Sequence, residues 1–348
     1  MPIKQTTTFI VLTALLTVPL VAQTLEEIDR NVQERAARSK AAGEVKTDPS
    51  MTRYGDLVPI NDLGENVYQG KQGGLYPKGS NSRPKAHNEA GLALANSVKP
   101  LDKSGKVDEQ NGKIVLMSVG FSNTTQGYQL FQRQANQLPN KNPQLYIFDG
   151  AISSQDVLSH NNTESEYWKR VMQRLSVAGL TPEQVQVVWF KTTSARLTPA
   201  NKVFPSAIPE LEEMWIKGIH AIKTLFPNVK IIYCSSRTYG GYAIQGNNEP
   251  FCWISGWVVK QMIEDQINGR ADLRYAGDNA AAAWLSWGPY LWANGEVPRK
   301  SDGLIWKHED MEFDGVHPSS TTGRPKVAKM LLDFFTTDET TVPWFLKK

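Results

Sequence analysis

The chain has 348 residues, 40% of them hydrophobic, which is enough for one large or two modest domains with a real core. Its formal net charge is +3 and its 38 lysines and arginines are scattered rather than blocked, which argues against nucleic acid as a partner. Only Cys234 and Cys252 occur, without a CxxC or HExxH, so a cysteine scaffold and a zinc motif are excluded and one disulfide is left open.

The N-terminus reads MPIK, then an apolar run from Thr8 to Val21, then Ala22. A basic start, an apolar stretch and a small residue at the cut describe a secretory signal over residues 1–22. Pro19 interrupts the run, which is shorter than the about 20 residues a membrane span needs. The expectation is an exported protein, secreted or periplasmic, with no stable membrane span in its mature form. Residues 23–108 are expected to form a helix and then an extended arm packed on the main domain. Leu25, Ile28 and Val32 carry the helical spacing, whereas residues 46–108 are rich in Gly, Pro, Asn and Ser, with Ala90 to Ser97 as a short helix.

From residue 109 to 348 the pattern is different. Short apolar runs at Lys113 to Val119, Gln144 to Phe148, Gln184 to Phe190 and Val229 to Cys234 read as buried strands. Helical periods follow them at Thr125 to Gln137, Glu164 to Ala178, Pro209 to Phe226 and Gly256 to Asn268, with a last helix at Ser320 to Phe335. Strands alternating with helices require crossover connections, hence an α/β fold with a mostly parallel sheet covered on both faces. In such sheets ligands lie beyond the carboxyl ends of the strands.

Three blocks fall at those ends. SVGFSNTTQ follows the first strand and places Ser122 at the start of a helix, where free N–H groups and the dipole favour an oxyanion. The same serine also suits a helix cap, and both readings stay open at this point. FDG ends the second strand with Gly150, a residue that lets a backbone N–H approach a bound atom. FDGVHPS near the C-terminus sets Asp314 three residues before His317, a carboxylate able to orient an imidazole base.

In that order, Ser122, Gly150 and the DGVHP block resemble the SGNH (GDSL-like) hydrolases over about Lys113 to Phe335. The resemblance implies a three-layer α/β/α, flavodoxin-like fold and a serine esterase that uses no metal and no cofactor. It also implies Ser122 as nucleophile, His317 as base, Asp314 as its partner and Gly150 as an oxyanion donor. Two departures stand out. The first block reads GFS where the family has GDS, and FKTTS after the third strand lacks the family's asparagine. Lys191, Thr192 or Asn123 is expected to supply the missing donor.

Beyond the fourth strand, CSSRTYGGYA offers Arg237 and Tyr239 for substrate, with an ion pair holding the loop as the other reading for Arg237. The stretch from Ala283 to Asn294 reads as one loop-like aromatic segment, and Trp287 and Trp292 are expected to line a cleft, though core packing is the competing reading. Aromatic walls on an exported hydrolase suggest a small-molecule or carbohydrate ester, such as an acetyl ester. The absent asparagine keeps a second reading open, a non-catalytic or altered relative that binds a glycan or another ligand.

Overall fold

The computed structural model describes residues 55–194, 203–244 and 248–347, together with Arg30 and Glu34. The expected signal segment and most of the first expected helix lie outside the described residues.

A one-turn helix α1 (Ile60–Leu63) and a two-residue hairpin, β1 (Val67–Tyr68) with β2 (Lys71–Gln72), come first in the continuous stretch from residue 55. Helix α2 (Lys85–Asn96) follows, starting earlier than the sequence suggested. The βα series is β3 (Ile114–Gly120), α3 (Ser122–Asn136), β4 (Leu145–Asp149), α4 (Val157–His160) and α5 (Glu166–Val177). It continues with β5 (Val185–Lys191), α6 (Ile208–Leu225), β6 (Ile231–Cys234) and α7 (Phe251–Ile267). Strand β7 (Trp284–Trp287), α8 (Gly323–Thr337) and α9 (Val342–Phe345) complete it.

The five long-range strands form one parallel sheet in the order β4-β3-β5-β6-β7. Every residue of β3, β5, β6 and β7 is buried, as a parallel sheet covered on both faces demands. Helices α3 and α8 pack together over one face, and α4, α6 and α7 pack together over the other. The architecture is therefore three-layered, α/β/α.

β7 corrects the reading of its own sequence. Trp284, Leu285, Ser286 and Trp287 are a buried strand of the sheet, paired with Ile231 to Cys234, rather than part of an aromatic loop. No helix among the described residues is long and apolar enough to cross a membrane.

Candidate active site

β3 is flanked by β4 and β5, and its carboxyl end delivers Gly120, Phe121 and Ser122 to the top of the sheet. The turn is tight. A Cβ on Gly120 would lie 2.2 Å from the Lys191 carbonyl oxygen and 2.4 Å from Thr124 Oγ1, so only glycine fits. Thr124 Oγ1 donates to that same carbonyl at 2.7 Å and ties the start of α3 to the end of β5.

Phe121, with extended backbone, is the residue that caps α3, and its carbonyl accepts from Thr124 N–H and Thr125 N–H at 2.9 and 3.1 Å. Ser122 is thus the first helical residue, and its hydroxyl is not spent on a cap. It lies 2.6 Å from His317 Nε2 instead. The N–H groups of Ser122 and Asn123 belong to the first turn, where a helix supplies no acceptor of its own.

The histidine loop is held from several sides. Gly315 N–H donates to the Glu312 carbonyl at 2.8 Å, and Glu312 N–H donates to the His317 carbonyl at 2.7 Å. Gly315 has φ of +68°, and a Cβ there would come within 1.7 Å of the Tyr242 carbonyl oxygen. No other residue can make this turn against that neighbour. Asp314 Oδ1 accepts from Val316 N–H and His317 N–H, both at 3.0 Å, while Oδ2 lies 2.5 Å from His317 Nδ1. Burial works against the charge on Asp314, but the imidazole and these two amides outweigh it and hold the carboxyl below its usual range. An ionised Asp314 only accepts, which places the imidazole proton on Nδ1 and leaves Nε2 to accept from Ser122.

Asn123, the residue after the serine, faces the end of β5. Lys191 Nζ donates to Asn123 Oδ1 at 2.7 Å. With Oδ1 taken by Lys191, Nδ2 is the free end of the amide. That Nδ2 is buried without a partner. Thr192, another expected donor, is engaged elsewhere, with Oγ1 2.8 Å from His160 Nδ1. Burial pushes His160 down to about 3, so this is a neutral structural pair.

Gly150 follows β4. A Cβ on it would lie 2.6 Å from the Ser118 carbonyl oxygen, and Ile152 N–H donates to the Gly120 carbonyl at 3.1 Å, stitching this turn to the serine turn.

The residues expected to hold substrate divide. Arg237 is 1% exposed, its Nε donates to Cys252 Sγ at 3.2 Å, and its guanidinium carbon lies 5.0 Å from the Phe121 ring centre, next to the serine. Trp287 and Trp292 are core residues, 3% and 0% exposed. Trp287 Nε1 donates to the Leu75 carbonyl at 2.7 Å, and Trp292 Nε1 donates to Glu249 Oε1 at 2.7 Å. Tyr239 is likewise buried, edge-on to Tyr242 at 5.0 Å. The expected aromatic cleft is therefore corrected to aromatic packing. Trp287 does border a cavity of about 350 Å³, together with Tyr76, Arg83 and Asp338, but neither Ser122 nor His317 lines it. Cys234 and Cys252 are not joined in a disulfide.

Sequence reasoning missed the pairing of Lys191 with Asn123, having treated the two as alternatives. Residues 68 positions apart meet only because β3 and β5 are neighbours.

No family model and no curated protein sequence matches the chain. Similar solved structures include a Slackia heliotrinireducens protein assigned to the SGNH hydrolases, 14% identical over 64% of this chain and 99% of that one, with a TM-score of 0.32. A Parabacteroides merdae protein assigned as a GDSL-like lipase is 12% identical over 66% of this chain and 96% of that one, with a TM-score of 0.29. A gut microbial diltiazem-metabolizing enzyme is 14% identical over 69% of this chain, with a TM-score of 0.34, and this chain spans 48% of its length.

Proposed function

We propose that this chain is a serine esterase of the SGNH kind, with Ser122 as nucleophile, His317 as general base and Asp314 as its orienting carboxylate. The observation that carries the reading is the continuous relay from Asp314 Oδ2 to His317 Nδ1 at 2.5 Å and from His317 Nε2 to Ser122 Oγ at 2.6 Å.

In the first half-reaction Ser122 Oγ attacks the ester carbonyl while His317 Nε2 takes its proton, and the imidazolium then protonates the leaving alkoxide. In the second half water attacks the acyl-serine with the same imidazole as base, and the acid leaves. The oxyanion of each tetrahedral intermediate is met by the N–H of Ser122, the N–H of Gly150 and Asn123 Nδ2. Lys191 holds the Asn123 amide with its donor end free, which replaces the asparagine absent after β5. Only the unprotonated imidazole can act as base, so activity falls toward acid pH.

Export rests on the apolar run before Ala22. The carbohydrate-ester expectation drew on aromatic cleft walls, and it loses that support because Trp287 and Trp292 pack inside.

The test is hydrolysis of para-nitrophenyl acetate by the wild type and by Ser122→Ala. Turnover by the wild type with a loss of at least about 10³-fold in the variant supports the assignment. Equal activity in the two removes Ser122 as nucleophile, and no turnover of any short-chain ester by the wild type removes the esterase.

A further inference from the structure

Two buried cations share the ring that precedes the nucleophile. Lys191 ends β5 and Arg237 follows β6, its neighbour in the sheet, and each is 1% exposed. The Phe121 ring centre lies 5.0 Å from the Arg237 guanidinium carbon and 5.7 Å from Lys191 Nζ.

Neither cation forms an ion pair with a carboxylate among the described residues. Arg237 spends Nε on Cys252 Sγ, and its Nη1 is buried with no partner at all. Lys191 spends one of its hydrogens on Asn123 Oδ1. Glu249 feels the Arg237 charge, yet both its oxygens are taken. Oε1 accepts from Gly240 N–H at 2.8 Å and Trp292 Nε1 at 2.7 Å, and Oε2 accepts from Trp253 N–H at 2.9 Å.

A guanidinium in a dry interior is normally matched by an anion, because desolvation of the charge is otherwise left uncompensated. Here burial, and then the adjacent Arg237, hold Lys191 well below the usual lysine range. The ring that the two groups share belongs to Phe121, which immediately precedes the part-exposed Ser122.

We propose that Arg237 and Lys191 form an anion subsite, and that the esterase acts on esters that themselves carry a carboxylate close to the scissile bond. The proposal rests on Ser122 being the nucleophile. A carboxylate fits a guanidinium edge better than a single ammonium would, since planar oxygens meet parallel N–H groups. Once bound it supplies the missing partner of Nη1 and favours the charged form of Lys191. Lys191 would then link substrate charge to the Asn123 amide that faces the oxyanion.

The experiment compares kcat/KM for three esters: para-nitrophenyl acetate, mono-para-nitrophenyl succinate with its carboxylate on the acyl side, and para-acetoxybenzoate with its carboxylate on the alcohol side. After correction for spontaneous hydrolysis, one of the two charged esters should exceed the neutral one by about 10- to 100-fold, the range expected of a charge-assisted hydrogen bond. Which one exceeds it tells the side of the ester that the cations face. Arg237→Gln should bring that ratio to about 1, and Arg237→Lys should restore part of it. A second reading needs no variant: free succinate or benzoate should compete with acetate hydrolysis by the wild type. Ser122-dependent hydrolysis that shows no charged-ester preference and no inhibition overturns the subsite and leaves the esterase standing. Equal hydrolysis by wild type and Ser122→Ala overturns the nucleophile, and the subsite falls with it.

Discussion

Asn123 is one residue from the proposed nucleophile and carries the most exact expectation at the scale of a single side chain. Its Oδ1 is fixed by Lys191 at 2.7 Å and its Nδ2 has no partner in the free protein. Removing one oxyanion donor costs on the order of 10²- to 10³-fold in kcat. Asn123→Ala should therefore lower kcat on para-nitrophenyl acetate by about that factor with little change in KM. Lys191→Met should lower it by a smaller factor, because the amide survives but is free to turn. The two changes should not add, since in the absence of Asn123 there is no amide for Lys191 to hold. Steady-state kinetics of both single variants and the double variant check this, and additive losses would mean that Lys191 acts independently. Much of this candidate site is legible in the sequence. Ser122 follows a strand and Asp314 is three residues from His317, so local pattern suffices. The oxyanion side is not, because it depends on a contact between a helix residue and a neighbouring strand.

At the scale of elements, α6 and α7 meet around Arg270, a guanidinium within reach of four carboxylates. Its nitrogens lie 3.5 Å from Glu212, 2.5 Å from Glu213, 3.3 Å from Asp265 and 2.8 Å from Asp272. Glu212 is the buried one, and its Oε1 has no hydrogen-bond donor. Burial first, and then Asp265, push its carboxyl up to about 8 from an ordinary 4.5, against the pull of Arg270. A carboxyl whose folded value is raised takes up a proton on folding. Its favourable effect is complete below about pH 4.5 and is lost as the pH rises through about 8. Glu212→Gln mimics the protonated form, so it should flatten that part of the profile. Urea denaturation at pH 5 and pH 9 should show the variant gaining on the wild type at the higher pH, by on the order of a few kcal/mol. A constant difference at both pH values would mean that Glu212 is ionised in the fold throughout. Element boundaries in the sequence were clear where the apolar stripe was narrow and blurred where it was not. Helix α7 begins at Phe251 rather than Gly256, and its first ten residues are all buried, so no polar face marks the start. β7 was hidden for a related reason, since a run of tryptophans reads as easily as a packed loop as it does a strand.

Across the whole molecule the proposed chemistry and the brace lie on different strands. Ser122 rises from β3, while the segment from Leu75 to Asn96 covers β7 at the far edge of the sheet. Tyr76 Oη lies 2.9 Å from Ser286 Oγ and accepts from Trp287 N–H at 3.3 Å, and His87 stacks on Trp284 with ring centres 4.8 Å apart. Arg83 donates to Ser286 Oγ at 2.8 Å and pairs with Asp338 at 2.6 Å, fastening the same segment to the end of α8. A free strand edge invites pairing with other chains, and this cover removes it. The sequence showed residues 46–108 as an arm of unusual length, but nothing in its composition named the edge it would close. Tyr76→Phe keeps the ring and deletes only the hydroxyl, leaving the Trp287 N–H without its acceptor. The loss should be about 1 to 3 kcal/mol, which for a chain of this size lowers Tm by several degrees. The rate on para-nitrophenyl acetate, normalised to folded protein, should stay at the wild-type value, because β5 and β6 stand between the brace and Ser122. A fall in kcat without a fall in Tm would place the brace in communication with the site, and would overturn this division between β3 and the β7 edge of the sheet.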